Sequence, residues 1–290
     1  MIHITGANGH LGAALIKLLK KDSMPVIGYA RNQKKNSTDQ YCKYESYQNL
    51  TSLINKGDTV IHCAAVTHSN ADFIYFLKIN KNWSIELYKE CRNTPGITFI
   101  YLSSIGVYGY KGDSSLQLNE DSKRTPSKFE YYGRSKNLAE KGLINASKNQ
   151  KTQLIIFRLG LIGSGILRSN IVINKSARLP LLSMNSFYFC IRSVIDERLS
   201  SGVYNLVGDL QPQINDLCKI KNKKFIFIPR CFQIGVRSLY IIYYSRNLVR
   251  FLLGKPRIPK HRIENDKLLA TRTYTYDCKK IKNALNIEDL

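Results

Sequence analysis

Acidic side chains are scarce in this sequence: 21 Asp and Glu stand against 44 Lys and Arg in 290 residues, a formal charge of +23. Such an excess admits nucleic acid, anionic lipid and phosphate-bearing small molecules as partners, and does not choose among them. Other absences narrow the choice. There is no RNP-like aromatic pattern, no zinc-finger spacing and no long arginine-rich tail, so no module would carry a nucleic-acid role. We expect no nucleic-acid partner and read most of the charge as solvation of the surface. The five histidines, at positions 3, 10, 62, 68 and 261, form no HxH or HExxH pair, and no metal site is expected. The seven cysteines are odd in number and include no CxxC pair, as reduced thiols of a cytoplasmic protein would. No charged-then-apolar leader precedes the first strand-like run at residue 2, so neither a signal peptide nor a transit peptide is expected.

What the chain does have is a core, with 43% apolar residues over a length that supports one large domain or slightly more. Short β-branched runs at 2–5, 25–30, 59–65, 97–103, 154–159 and 203–207 alternate with longer helical patterns. That alternation predicts an α/β fold, a Rossmann-like doubly wound parallel sheet whose strands are covered on both faces. Beyond about residue 165 the order weakens. We therefore expect a dinucleotide-binding domain over 1–165, a strand returning near 203–207, and a smaller substrate-binding lobe, built from insertions, over most of 166–290.

The first strand runs into TGANGHLG, which sets Gly6, Gly9 and Gly12 at GxxGxxG spacing ahead of an apolar helical run. Glycines there permit the tight turn and let a pyrophosphate approach the backbone, and the helix start favours the anion. This assigns Gly6, Asn8, Gly9, His10, Leu11 and Gly12 to a dinucleotide cradle. The second strand ends in Ala30 and Arg31, with no carboxylate to hold a ribose 2′-hydroxyl and a guanidinium able to grip a 2′-phosphate, which favours NADP(H) over NAD(H). The run DTVIHCAAVTHS, opening at Asp58, ends its strand in small residues, Ala64 and Ala65, that can pass beneath the adenine and ribose.

EYYGRSKNLAEKG, at 130–142, adds two adjacent tyrosines and a lysine. Tyr132 and Lys136 stand at i and i+4 and share a helix face, whereas Tyr131 has Ser135 at that spacing. TGANGHLG, HCAA, LSSIGVYG at 102–109 and the Tyr132/Lys136 pair occur in this order, and together they resemble the extended short-chain dehydrogenase/reductase family, in its NAD(P)-dependent epimerase/dehydratase branch. FLLGKPRIPKHR and KLLATRTYTYDCKKIKNALNI further resemble the C-terminal end of nucleotide-sugar enzymes of bacterial surface-polysaccharide synthesis.

The resemblance implies that Tyr132 exchanges a proton with a sugar hydroxyl while hydride passes between the sugar carbon and the nicotinamide. It implies that Lys136 lowers the phenol pKa and binds the nicotinamide ribose, that Ser104 holds the substrate oxygen, and that Asn80 organises the site through a water and the backbone. Ser103 competes with Ser104, but adjacent residues on a strand point opposite ways and the family pattern favours the second. The implied partner is a nucleotide-activated, UDP-linked sugar, and a homodimer is expected. Two departures stand out. Ile105 and Gly106 follow Ser104 where the dehydratases of the family carry an Asp-Glu pair, which speaks against a 4,6-dehydratase; and LSMNSFYF, at 182–189, lacks the arginine that reaches the nucleotide diphosphate, leaving Arg192 or Arg272 to substitute.

The apolar stretch at 234–254 is interrupted by Arg237, Arg246 and Arg250, which excludes a comfortable membrane span. It is expected to pack over the substrate lobe, the second reading being a basic amphipathic surface resting on anionic lipid. Three function classes remain at this stage: a nucleotide-sugar 4-epimerase or 4-keto reductase, a non-catalytic NADP(H) sensor or scaffold, and a basic nucleic-acid- or membrane-binding protein.

Overall fold

The computed structural model describes residues 1–30, 42–45, 49–67, 71–109, 116–128, 130–163, 171–172, 177–216, 226–227, 237–254 and 274–290, with the backbone alone at 42–45, 171–172, 226–227 and 237–243. Seven strands form one sheet: β1 (Ile2–Thr5), β2 (Val26–Tyr29), β3 (Cys42–Glu45), β4 (Thr59–His62), β5 (Thr98–Ser104), β7 (Gln153–Leu159) and β11 (Gly202–Leu206). Their order is β11-β7-β5-β4-β1-β2-β3, and every pairing is parallel. Parallel neighbours require crossovers, and helices supply them: α1 (His10–Lys21), α2 (Leu50–Leu53), α3 (Phe73–Phe76) running on through a π-helical segment (Leu77–Trp83) into α4 (Ser84–Cys91), α5 (Tyr131–Ser147) and α6 (Met184–Ile195). The doubly wound expectation holds. β1 and β4 are buried along their whole length, as strands with helices on both faces must be.

Short pairs surround this sheet: β6 (Gln117–Leu118) with β13 (Thr275–Tyr276), β8 (Leu161–Ile162) with β10 (Leu181–Leu182), and β9 (Ile171–Val172) with β12 (Ile226–Phe227). Two more helices follow late in the chain, α7 (Arg237–Leu252) and α8 (Lys279–Leu285). Among the described residues, no helix is long and apolar enough to cross a membrane. α6 is the crossover from β7 to the edge strand β11, and its Phe187, Cys190, Ile191 and Val194 share one core with β1, β7 and α8. The chain after residue 166 thus also builds the sheet.

Two histidines tie strands together inside the core. His3 on β1 sits between the Tyr29 hydroxyl at 2.8 Å and Asp58 at 2.9 Å, and burial lowers its pKa despite the carboxylate. His62 on β4 is bracketed by the Thr5 and Ser84 hydroxyls at 2.8 and 2.9 Å; full burial, with Lys136 nearby, holds its pKa down to about 3, so the ring is neutral. The described cysteines Cys63, Cys91, Cys190 and Cys278 are free thiols.

A buried polar network holds the site end of the sheet. Arg158 on β7 donates to Glu140 on α5 at 2.8 Å and to the Tyr108 hydroxyl at 2.8 Å, and Arg124 donates to the same carboxylate at 2.6 Å. Tyr108 in turn donates to Asn205 on β11, whose amide reaches the carbonyls of Leu118 and Asp277. The late segment around β13 is thereby fastened to the dinucleotide-binding half. Glu140→Gln would leave Arg158 without its counter-charge, and removing one partner of a buried pair costs about 3–5 kcal/mol. Urea unfolding should register that loss; an unchanged midpoint would contradict the network's role.

Candidate active site

The cavity opens at the carboxyl ends of β1, β2 and β4, where ligands of open α/β sheets bind. Its volume is about 1020 Å³, and Gly6, Gly9, Ala30, Ala64 and Ala65 form its floor. Gly6 adopts φ +70°, and a Cβ there would meet Ala64 N at 2.8 Å; a Cβ on Gly12 would lie 2.3 Å from Gly6 O. Side chains at these positions would push α1 away from the strand end. Gly9 caps α1 without a side-chain hydrogen bond and the first turn carries no acid, so the positive end of the helix addresses the cavity. The bare glycine turn, the uncapped helix start and the small residues after β4 fit a dinucleotide's pyrophosphate and adenosine. Asn8 lines the cavity, while His10 and Leu11 stand in the first turn of α1. Arg31 and Arg272 lie outside the described residues.

The opposite wall is helical. Lys78, Asn82 and Glu86 line the cavity at four-residue spacing, with Tyr75, Ile79 and Trp83 on the adjoining row. Sequence reading missed this wall, although the i, i+4, i+8 spacing of polar residues was its signal. Asn80 faces the other way. It is fully buried in the π segment, accepts from Val66 N at 2.7 Å, and donates to Val66 O at 2.9 Å and to Ser135 Oγ on α5 at 3.0 Å. These direct bonds clamp the chain after β4 to α5.

At the end of β5 the two serines part. Ser103 donates to Glu140 at 2.5 Å, in the network behind the sheet, whereas Ser104 accepts from Gly106 N at 3.1 Å and stands close enough to the Tyr132 hydroxyl to favour its ionised form. The 3-10 turn Ile105–Tyr108 and the start of α5 approach so closely that a Cβ on Gly133 would lie 2.3 Å from Gly106 O. Only glycine fits there, and that contact brings Tyr132 to Ser104. Tyr131 turns away to pack on Phe73 and Phe76, at 5.2 and 5.9 Å between ring centres.

Lys136 lies deep beside the end of β5. Its amine is almost wholly buried, donates to Leu102 O at 2.7 Å and lies 4.4 Å over the Tyr101 ring. Burial lowers its pKa to about 7, against the pull of Cys63 and Glu140. Burial likewise raises the Tyr132 phenol to about 12, Ser104 opposing only in part. Desolvation is thus the larger influence on both groups and favours their neutral forms. Burial also pushes the Cys63 thiol up to about 12, with Lys136 opposing, which leaves it unreactive.

Arg192 is a correction to the sequence reading. It pairs with Asp196 at 3.1 Å, lies 3.9 Å from Asp22 and contacts Met24. Asp22 ends α1, so Arg192 stands about a helix length from the glycine cradle, at the end of α1 away from the cavity and with its guanidinium already paired.

Residues 2–169 match the NAD dependent epimerase/dehydratase family. The chain belongs to that family. Among its relatives, a decarboxylating sterol-4-alpha-carboxylate 3-dehydrogenase of Dictyostelium discoideum is 28% identical over 174 residues, 56% of this chain and 53% of the relative. A UDP-glucose 4-epimerase of Vibrio cholerae is 23% identical over 232 residues, 72% of this chain and 70% of the relative. The chain thus spans about half the length of the first relative and about two-thirds of the second. A UDP-glucuronic acid 4-epimerase of Bacillus cereus, solved with NAD, shares the fold with a TM-score of 0.71 over 99% of this chain and 93% of that one, at 18% identity.

Lys136 also fixes a pH dependence. Its pKa is lowered in the fold, so between about pH 7 and the unfolded value near ~10.4 the unfolded chain binds the extra proton and folding gains stability as pH rises. Lys136→Met removes this term. The variant's stability relative to the native chain should fall by at most about 1.4 kcal/mol per pH unit across that window. Urea titrations at several pH values would read it; a difference independent of pH would contradict the buried, neutral amine.

Proposed function

We infer that the protein is an NAD(P)-dependent oxidoreductase-type enzyme acting on a nucleotide-activated sugar, UDP-linked, as a 4-epimerase or a 4-keto reductase. The observation that carries this reading is the close Gly106–Gly133 contact that sets Tyr132, at the start of α5, near Ser104 at the end of β5, together with a glycine cradle suited to a dinucleotide. The UDP-sugar names of the Vibrio and Bacillus relatives support the substrate class. Bound cofactor would supply the hydride acceptor and donor. Tyr132 would exchange the proton of the reacting sugar hydroxyl, and Ser104 would hydrogen-bond the same oxygen and stabilise charge developing on it. Lys136 would hold the nicotinamide ribose, and Asn80 would keep α5 in register with the chain after β4. The substrate side is assigned mainly to residues 166–290, with Arg272 a candidate diphosphate ligand. A cytoplasmic homodimer fits this reading.

The test is a panel of UDP-sugars and 4-keto sugars, followed by product analysis and by absorbance of the reduced nicotinamide. Stoichiometric loss of absorbance with a keto sugar identifies the reductase; a new epimer at constant absorbance identifies the epimerase. No product from any sugar would favour a non-catalytic NADP(H) sensor. Tyr132→Phe should lower turnover by about 100- to 10,000-fold with cofactor affinity kept, and Tyr131→Phe should change little. Full activity in Tyr132→Phe would remove the catalytic assignment.

Cofactor choice follows from Ala30 and Arg31 at the ribose-reading position. NADPH should bind roughly tenfold or more tighter than NADH, and Arg31→Ala should erase the difference. Trp83, the sole tryptophan, lines the cavity and reports binding by its fluorescence. Equal affinities in the native chain would overturn the preference.

A further inference from the structure

The apolar stretch of α7 does not pack as its sequence suggests. In the part with described side chains, Leu248, Val249, Leu252 and Leu253 are 60%, 54%, 74% and 62% exposed, while the polar Asn247 is 8% exposed. Leu248 and Leu252 stand one turn apart, as do Val249 and Leu253 on the next row, with Phe251 also exposed at their margin. The helix is inside out, its amide turned to the protein and its aliphatic rows turned outward. Apolar area of this kind, gathered on one face, marks a surface that something covers.

We propose that this face of α7 is a docking surface for an anionic lipid bilayer. Charge selects the occupant. Between Asp216 and Glu264 the sequence holds no acidic residue and twelve Lys or Arg, and helical periodicity sets Arg246 and Arg250 at the edge of the aliphatic rows. A second copy of the chain docked on this face would set Arg246 and Arg250 beside their own counterparts, and like charges would oppose the contact. Single-stranded nucleic acid would meet the charge and could stack on Phe251 or Tyr244, but the four aliphatic side chains that make up most of the face offer its bases no platform. An anionic bilayer satisfies both halves: the headgroups meet the arginines and the aliphatic rows enter the acyl boundary, as in a helix lying in the interface. None of the residues lining the cofactor cavity belongs to α7, so cofactor binding can be measured separately from docking at this surface.

Flotation of the full chain tests this, with vesicles of phosphatidylcholine alone and of phosphatidylcholine with about one-third phosphatidylglycerol. The protein should float with the anionic vesicles and stay behind with the neutral ones. Leu248→Ser/Leu252→Ser should lower the partition about tenfold or more, because two buried leucines are lost from the acyl region. Arg246→Gln should lower it further and reduce its salt dependence. Cofactor quenching of Trp83 checks that each variant is folded. Absence of flotation with anionic vesicles would overturn the proposal, as would flotation unaffected by the double leucine variant. Displacement of the vesicles by single-stranded RNA that binds the leucine variant equally well would reassign the surface to nucleic acid.

Discussion

The site depends on one contact between two backbones. The 3-10 turn after β5 and the first turn of α5 meet at Gly106 and Gly133, where the space is too small for a methyl group. Everything with chemistry is hung from these two elements. Ser104 ends the strand and caps the turn; Tyr132 and Lys136 stand on the helix. Because protein interiors are close-packed, displacing this contact by even one carbon would move the phenol relative to the serine rather than be absorbed locally. The Asn80 clamp to Val66 and Ser135 then fixes the same helix against the cofactor end of β4. The glycine cradle and the Tyr132/Ser104 pair thus become parts of one frame.

Behind that frame, the electrostatics divide into two regimes. Glu140 is the shared counter-charge of Arg158 and Arg124 and accepts from Ser103, and this paired cluster locks β5, β7 and α5. Lys136 and Tyr132 are buried without such matching, and both are driven towards their neutral forms. The first arrangement is structural. The second is a store of unfavourable burial held at the place where a charged cofactor ring and a substrate hydroxyl would change the balance, which is where perturbed ionisations gather in enzymes.

The sheet was readable because its central strands are β-branched apolar runs, and the cradle because only glycines meet the steric demand at a first strand-to-helix turn. β3 was not readable: CKYE is an edge strand with one neighbour, and its apolar/polar alternation runs over only four residues, without the apolar run that marked the central strands. The Tyr132/Lys136 spacing was plain, yet the direction of their pKa shifts was not, since desolvation depends on burial that no spacing reveals. Arg192 was misjudged for a related reason; its end of the sheet is decided by the crossover of α6, not by its distance along the chain. For α7, sequence could identify an apolar face but not which way it turns. The outward orientation appears only once Asn247 is seen on the inner side.

The most direct test of this account is Gly133→Ala, assayed together for cofactor affinity through Trp83 fluorescence and for turnover with the sugar nucleotide that the native chain converts. Gly133 is not among the residues lining the cofactor cavity, so affinity should stay within a few-fold, while the displaced phenol should lower turnover by about 100-fold or more. Native turnover in a folded Gly133→Ala protein would contradict the claim that this backbone contact sets the catalytic geometry.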